Sequence, residues 1–161
     1  MPRSFIVVLA AVSLGTSSWA MAQTQSAEAE VLGIVKAMLH VIETKDAASV
    51  AAHVDSTARF TLLRPTPTGG RVIVIAGTQF IDRVTQPGGP PAKELIRNPE
   101  VRIDGDLATV WTEYQFIIDG KVHHCGYDAF QLGRIGGAWK ILNVSDSYRE
   151  QGCGEPWPGG T

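Results

Sequence analysis

The side chains in this 161-residue sequence whose types and spacing could support chemistry are concentrated in its last third. Three strand-like runs there are separated by Asp119-Gly120 and by Arg134-Ile135-Gly136-Gly137, so they read as consecutive antiparallel hairpins. A two-residue turn at Asp119-Gly120 sets residue 118 against 121, and a turn centred between Ile135 and Gly136 sets the next register. Counted outward from those turns, Trp111 falls beside Asp128 and Asn143, Glu113 beside Gly126 and Ser145, and Gln115 beside His124 and Ser147. Phe130 beside Ile141 and Leu132 beside Trp139 continue the same face. It runs from aromatic and apolar at one end to Asp, Asn, Glu and His at the other, the make-up of a small-molecule pocket. Trp111, Glu113, His124, Asp128, Phe130 and Asn143 are therefore the expected ligand contacts. A β-bulge in either hairpin would invert the assignment.

Asp128 is the sharpest candidate. A carboxyl among Trp111, Phe130 and Ile141 is desolvated, which raises its pKa and lets it donate a hydrogen bond to a developing oxyanion. The alternative is a structural carboxylate held by Asn143 or a backbone amide. His53, Asp55 and Glu113 are candidates for moving a proton. The plainer reading of His53 and Asp55 is helix-end chemistry, with the imidazole offsetting the helix dipole and Asp55 opening a turn. Arg64 is either the partner of an anionic ligand or an ordinary exposed strand residue. Adjacent His123 and His124 point to opposite faces of a strand and there is no Cys-x-x-Cys, so no metal site is expected. Gly133, Gly136 and Gly137 surround a hairpin turn instead of opening a helix, so they carry no nucleotide signal, and no cofactor is expected.

These residues depend on elements that the rest of the chain must supply. Arg3, the apolar run Phe5 to Leu14 and Ala20-Met21-Ala22 read as a secretory signal peptide over 1–22, cleaved near Ala22. The run is too short to span a bilayer, which takes about 20 apolar residues, so the mature chain has no membrane anchor. Periplasmic or secreted localisation follows, and Cys125 and Cys153 are expected to pair in an oxidising compartment. Arg3 alone among charged residues leaves with the leader, so 14 basic residues become 13 against 16 acidic ones. That balance argues against nucleic acid or an anionic membrane as partner. What remains has the length of one domain, 23–148, followed by a tail, 149–161, tied by the disulfide and poorly ordered beyond Cys153.

Apolar residues at spacings of three and four from Ala27 to Glu43 predict a long amphipathic helix. Asp46 N-caps a short second helix through His53. Strands at 60–63 and 72–75 flank a proline-stiffened loop, Thr78 caps a third helix to Val84, and four strands follow at 93–103, 107–118, 121–132 and 138–146.

The order helix, helix, hairpin, helix, long meander, with Gly105-Asp106-Leu107-Ala108, Phe130-Gln131-Leu132 and Trp139-Lys140-Ile141, resembles the nuclear transport factor 2-like superfamily, in particular its secreted, SnoaL-like and putative lumazine-binding groups. The resemblance implies an α+β, cystatin-like cone, in which a strongly bent mixed or antiparallel sheet wraps the long N-terminal helix. Asp128-Ala129-Phe130 is similar to the pattern by which ketosteroid-isomerase-like members point an aspartate into the cone. Their general-base aspartate is absent at Leu63-Arg64-Pro65, and their helix tyrosine falls near Leu39. The resemblance implies a small, partly apolar ligand, with an isomerase, cyclase or dehydratase and a docking module as alternatives. It also implies a homodimer across the outer sheet face, which the counted register assigns to Val110, Thr112, Tyr114, Phe116, Tyr127, Leu142 and Val144.

Overall fold

A six-stranded sheet of order β2-β1-β6-β5-β4-β3 forms most of the protein, with every neighbouring pair antiparallel except β1 and β6. The computed structural model describes residues 16–158, in the order α1 (Thr16–Thr44), α2 (Ala48–Ala51), β1 (Val54–Thr66), β2 (Gly69–Ala76), α3 (Gly77–Val84), β3 (Ala92–Asp104), β4 (Leu107–Ile118), β5 (Lys121–Ile135) and β6 (Ala138–Asp146). Register shifts interrupt four of the five strand pairs, and each bulge adds bend and twist. The curved sheet holds α1 against its concave face. Val31, Val35, Met38, Leu39 and Ile42 of α1 enter one core with Phe60, Tyr114, Phe130, Leu132 and Trp139 of the sheet. The expected α+β cone is therefore the observed architecture.

Four local expectations give way. Helix α1 runs back past Ala27 to Thr16, through residues such as Ala20, Met21, Ala22 and Gln23 with high helix propensity. The leader's apolar run at 5–14 lies outside the described residues. The proline-stiffened loop is instead a tight turn, with Pro65 and Thr66 still paired to Gly70 and Gly69. Thr78 does not cap α3; Gln79 Oε1 accepts the Ala76 N–H at 3.0 Å. Asp46 Oδ1 accepts the Ala48 N–H at 3.0 Å, but Ala47 holds the N-cap position and α2 ends at Ala51, short of His53.

The larger correction concerns register. Asp119 and Gly120 both have positive φ and form the expected two-residue turn, setting Ile118 against Lys121. His123 is then an extra residue: Ile117 faces Val122, but Phe116 faces His124, and every later partner shifts by one. The second turn is the two-residue Gly136-Gly137, both at positive φ, which sets Ile135 against Ala138, and Leu142 is a second bulge. Thr112 and Asp146 consequently flank Asp128, where Trp111 and Asn143 were expected. One-residue slips exchange the faces of a strand. Val110, Thr112 and Tyr114 turn inward, while Trp111, Glu113 and Gln115 turn outward. The same bulge cancels the expectation that His123 and His124 diverge, since their Nδ1 atoms lie 2.9 Å apart.

The tail is ordered well past Cys153. Cys125 forms a two-way backbone bridge with Arg149 and is disulfide-bonded to Cys153 with Cα atoms 5.6 Å apart. Gln115 then holds the tail on the outer sheet face. Its Nε2 donates to the carbonyls of Cys153 (2.7 Å) and Glu155 (3.0 Å), and its Oε1 accepts the Trp157 N–H at 3.0 Å. The Arg97 guanidinium lies 4.1 Å from the centre of the Trp157 ring.

Candidate functional site

On the inner face, one polar cluster interrupts the apolar core. Asp128 from β5 is 4 % exposed, and its Oδ2 is buried with no conventional donor in reach. Its partner is Glu94 of β3, another carboxyl. Two carboxyls can bond only with a proton between them. Burial, then the charge and hydrogen bond of Glu94, then Asp146 push Asp128 well above the usual carboxyl range, against the pull of Arg64. Glu94 is half-buried and is pushed up to about 7, chiefly by burial, with the hydrogen bond from Asp128 opposing the rise. Both carboxyls are thus held above their ordinary range, chiefly by burial.

The third acid of the cluster is already satisfied. Asp146 Oδ1 accepts from Arg64 Nη1 at 2.8 Å and from the Leu63 N–H at 3.2 Å. Arg64 also lies over the Tyr148 ring, 4.8 Å from its centre. His124 stacks between Phe116 and Tyr148, with centroids at 4.8 and 4.5 Å. Burial first, then His123 and Arg64, push its imidazole down to about 4, so it is neutral near pH 7. Tyr114 donates to the Ser147 carbonyl at 2.8 Å, and burial ahead of the neighbouring carboxylates raises its phenol above the usual range. Gly126 lets that ring pass: a Cβ there would overlap the Ser147 carbonyl and the Tyr114 ring.

Between α1 and β3 lies a groove of about 450 Å³ lined by Lys36, Ala37, Leu39, His40, Glu43, Lys93, Glu94 and Leu95. Glu94 thus belongs both to the groove and to the buried pair.

The structure divides the sequence candidates. Asp128, Phe130, His124 and Arg64 share the interior, with Arg64 half-buried and engaged instead of an ordinary exposed strand residue. Trp111, Glu113 and Asn143 do not belong there. Trp111 is 49 % exposed and stacks on Tyr127 at 5.1 Å. Glu113 is gripped by Arg97 (2.9 and 2.6 Å) and Asn98 (3.1 Å), which hold its carboxyl below the usual range. Asn143 donates to Gln131 at 2.9 Å, and with Trp111 it lines a shallow outer depression of about 320 Å³.

His53 and Asp55 form no acid–base pair. The His53 carbonyl accepts the Ile141 N–H, and Asp55 Oδ1 accepts from Thr57 N–H (2.9 Å) and hydroxyl (2.6 Å), an Asx turn that holds its pKa down. Glu94 was missed because the register was counted only from the last two hairpins, while β3 reaches the interior by pairing Glu94 with Phe116. The signal that could have found it is the lone acid in Ala92-Lys93-Glu94-Leu95-Ile96 beside apolar neighbours.

No family model matches the sequence, and no curated protein matches it. Solved structures do. An NTF2-like protein with a cystatin-like fold from Novosphingobium aromaticivorans superposes with a TM-score of 0.65 at 10 % identity, over 88 % of this chain and 95 % of its own. An NTF2-like protein of unknown function from Shewanella baltica gives 0.60 at 15 % identity, over 78 % and 95 %. The association domain of C. elegans CaMKII gives 0.58 at 21 % identity, over 79 % and 96 %. With its bent mixed sheet closed on a long N-terminal helix, the chain has the nuclear transport factor 2-like, cystatin-like fold.

Proposed function

We propose that this protein binds a small, partly apolar molecule inside the bent sheet, with the Asp128–Glu94 pair as its polar anchor. One observation carries the reading: Asp128 is a carboxyl buried to 96 %, and among the described residues its side chain meets no donor but only another carboxyl. A carboxylate kept for structure is surrounded by donors, because burying an unpaired charge costs several kcal/mol. Asp146, with Arg64 and the Leu63 amide, is such a case in the same cluster. Native mass spectrometry of protein purified from its own periplasm tests the reading. A retained small-molecule mass lost in Asp128→Asn supports it, and identical ligand-free spectra for both proteins overturn it.

The enzymatic alternative, a SnoaL-like or ketosteroid-isomerase-like activity, is favoured by Glu94, whose pKa of about 7 suits a general base facing a protonated Asp128. It replaces His53, Asp55 and Glu113 in that role. The docking alternative is favoured by the CaMKII association domain among the structural neighbours and by exposed Leu63, Val72, Val74 and Trp111 on the outer face. A homodimer would use those residues, since Tyr114 and Phe116 line the interior.

Export as a periplasmic or secreted protein is part of the proposal. It is supported by the leader sequence and by the disulfide. Intact mass beginning near Gln23 is the expected result, and an unprocessed cytosolic product overturns it.

A further inference from the structure

The acid pair also indicates the charge of the ligand, an inference that rests on the small-molecule reading above. Burial raises both carboxyls of Asp128 and Glu94, and the two basic groups beside them, Arg64 and His124, are not free to neutralise the pair. Arg64 is committed to Asp146, to the Leu63 carbonyl and to the Tyr148 ring, and His124 is neutral. The pair is thus a buried acceptor site short of donors. A charged N–H group supplies both the hydrogen bonds and the neutralising charge, and such bonds are roughly twice as strong as neutral ones.

The surroundings suit an organic cation. Glu94, Phe116 and His124 occupy one cross-strand row, so aromatic faces lie beside the acid that lines the groove. Cations are attracted to such faces within about 6 Å of the ring. Among the described residues no group of three His, Cys, Asp or Glu side chains is arranged to hold a metal ion. Leu39, Ala37 and Leu95 supply apolar wall. Lys36 and Lys93 stand at the rim with His40 and Glu43, whose side chains pair at 3.5 Å. Water screens charges there more than it does at Asp128.

We propose that the groove between α1 and β3 takes a protonated amine with an apolar body, whose ammonium pairs with Glu94 and supplies the donor that buried Asp128 lacks. No covalent bond changes: the amine enters as the cation, and the proton displaced from the acid pair leaves to solvent.

The test is titration calorimetry of the disulfide-intact protein near neutral pH with phenethylamine, 2-phenylethanol and 3-phenylpropionate, each in two buffers of different ionisation enthalpy. Phenethylamine should bind at least about tenfold more tightly than the alcohol, a difference of about 1.4 kcal/mol. Up to about one proton should be released with the amine and none with the alcohol. Asp128→Asn and Glu94→Gln keep the side-chain volume, so each should erase the amine's advantage over the alcohol and its proton release. The wild-type proton count needs no variant.

Equal or tighter binding of the alcohol or the carboxylate overturns the cation assignment and leaves the pocket intact. Binding of none of the three also overturns it. In that case a retained mass in native spectra decides whether the small-molecule reading survives.

Discussion

Gln115 and Asp128 are both polar, both almost wholly buried and both central in the sheet, yet their surroundings are opposite. Gln115 on the outer face is 0 % exposed, and its amide is matched by two carbonyls and one N–H of the tail. Among the described residues Asp128 on the inner face has no donor and meets another acid. Burying a matched amide costs little, whereas a buried carboxyl without a donor must keep its proton to remain. The first arrangement fastens the tail, and the second leaves an acid without a donor. Trp139 Nε1 is also buried without a partner, but a neutral indole N–H loses far less than a carboxylate does.

Gly126 is where the two faces share a residue, and it should give the largest effect. The atom that a Cβ would overlap is the Ser147 backbone carbonyl, which cannot swing aside as a side chain would. Gly126→Ala should cost about 3 kcal/mol or more in urea unfolding and loosen interior and tail together. An unchanged midpoint would break the link drawn between them.

Next comes the outer face alone. Replacing both Cys125 and Cys153 by Ala removes a crosslink spanning 28 residues and should cost about 2 to 4 kcal/mol. Gln115→Leu leaves three backbone groups unpaired and should cost about 1 to 3 kcal/mol. Asp128→Asn, by contrast, should leave stability near neutral pH unchanged within about 1 kcal/mol, or raise it. A loss as large as that of Gln115→Leu would make Asp128 structural, and the contrast between the faces would fall.

The two faces should also respond to pH with opposite sign. Asp128 and Glu94 have raised values in the folded protein, so the folded state binds more protons than the unfolded chain above the ordinary carboxyl range. Stability should fall as pH rises from about 4 through 7, and Asp128→Asn should flatten that slope, which is at most about 1.4 kcal/mol per pH unit for each proton. Glu113 is held low by Arg97, so its contribution is present above the unfolded value and is lost as pH falls below it. Glu113→Gln should flatten only that acid limb. Matching profiles for Asp128→Asn and wild type would remove the proton-sharing pair.

The smallest effect is expected at Trp157, whose ring meets Arg97. Trp157→Ala should cost about 0.5 to 1 kcal/mol and speed hydrogen exchange of tail amides, leaving the interior unchanged.

The elements themselves were legible. The three- and four-residue spacing of Val31, Val35, Met38, Leu39 and Ile42 marks α1, and Asp119-Gly120 marks a two-residue turn. Those signals are local: each depends on residues within a turn or two of one another. Asp128 and Phe130 fall on the interior face in either register because they are two residues apart on one strand. Arg64 and Glu94, by contrast, reach Asp128 through pairings with distant strands, and no local pattern shows where those strands will lie.

By itself the sequence determined the order of helices and strands, the turn at Asp119-Gly120 and the pairing of its two cysteines, through periodicity, turn chemistry and the count of thiols. Only the tertiary structure decided which side chains face inward. That choice turns on single extra residues at His123 and Leu142, and a bulge forms where sheet curvature must be relieved against α1, a condition set by the packing of the whole molecule. The same curvature brings Glu94 to Asp128 and places Trp111 in solvent.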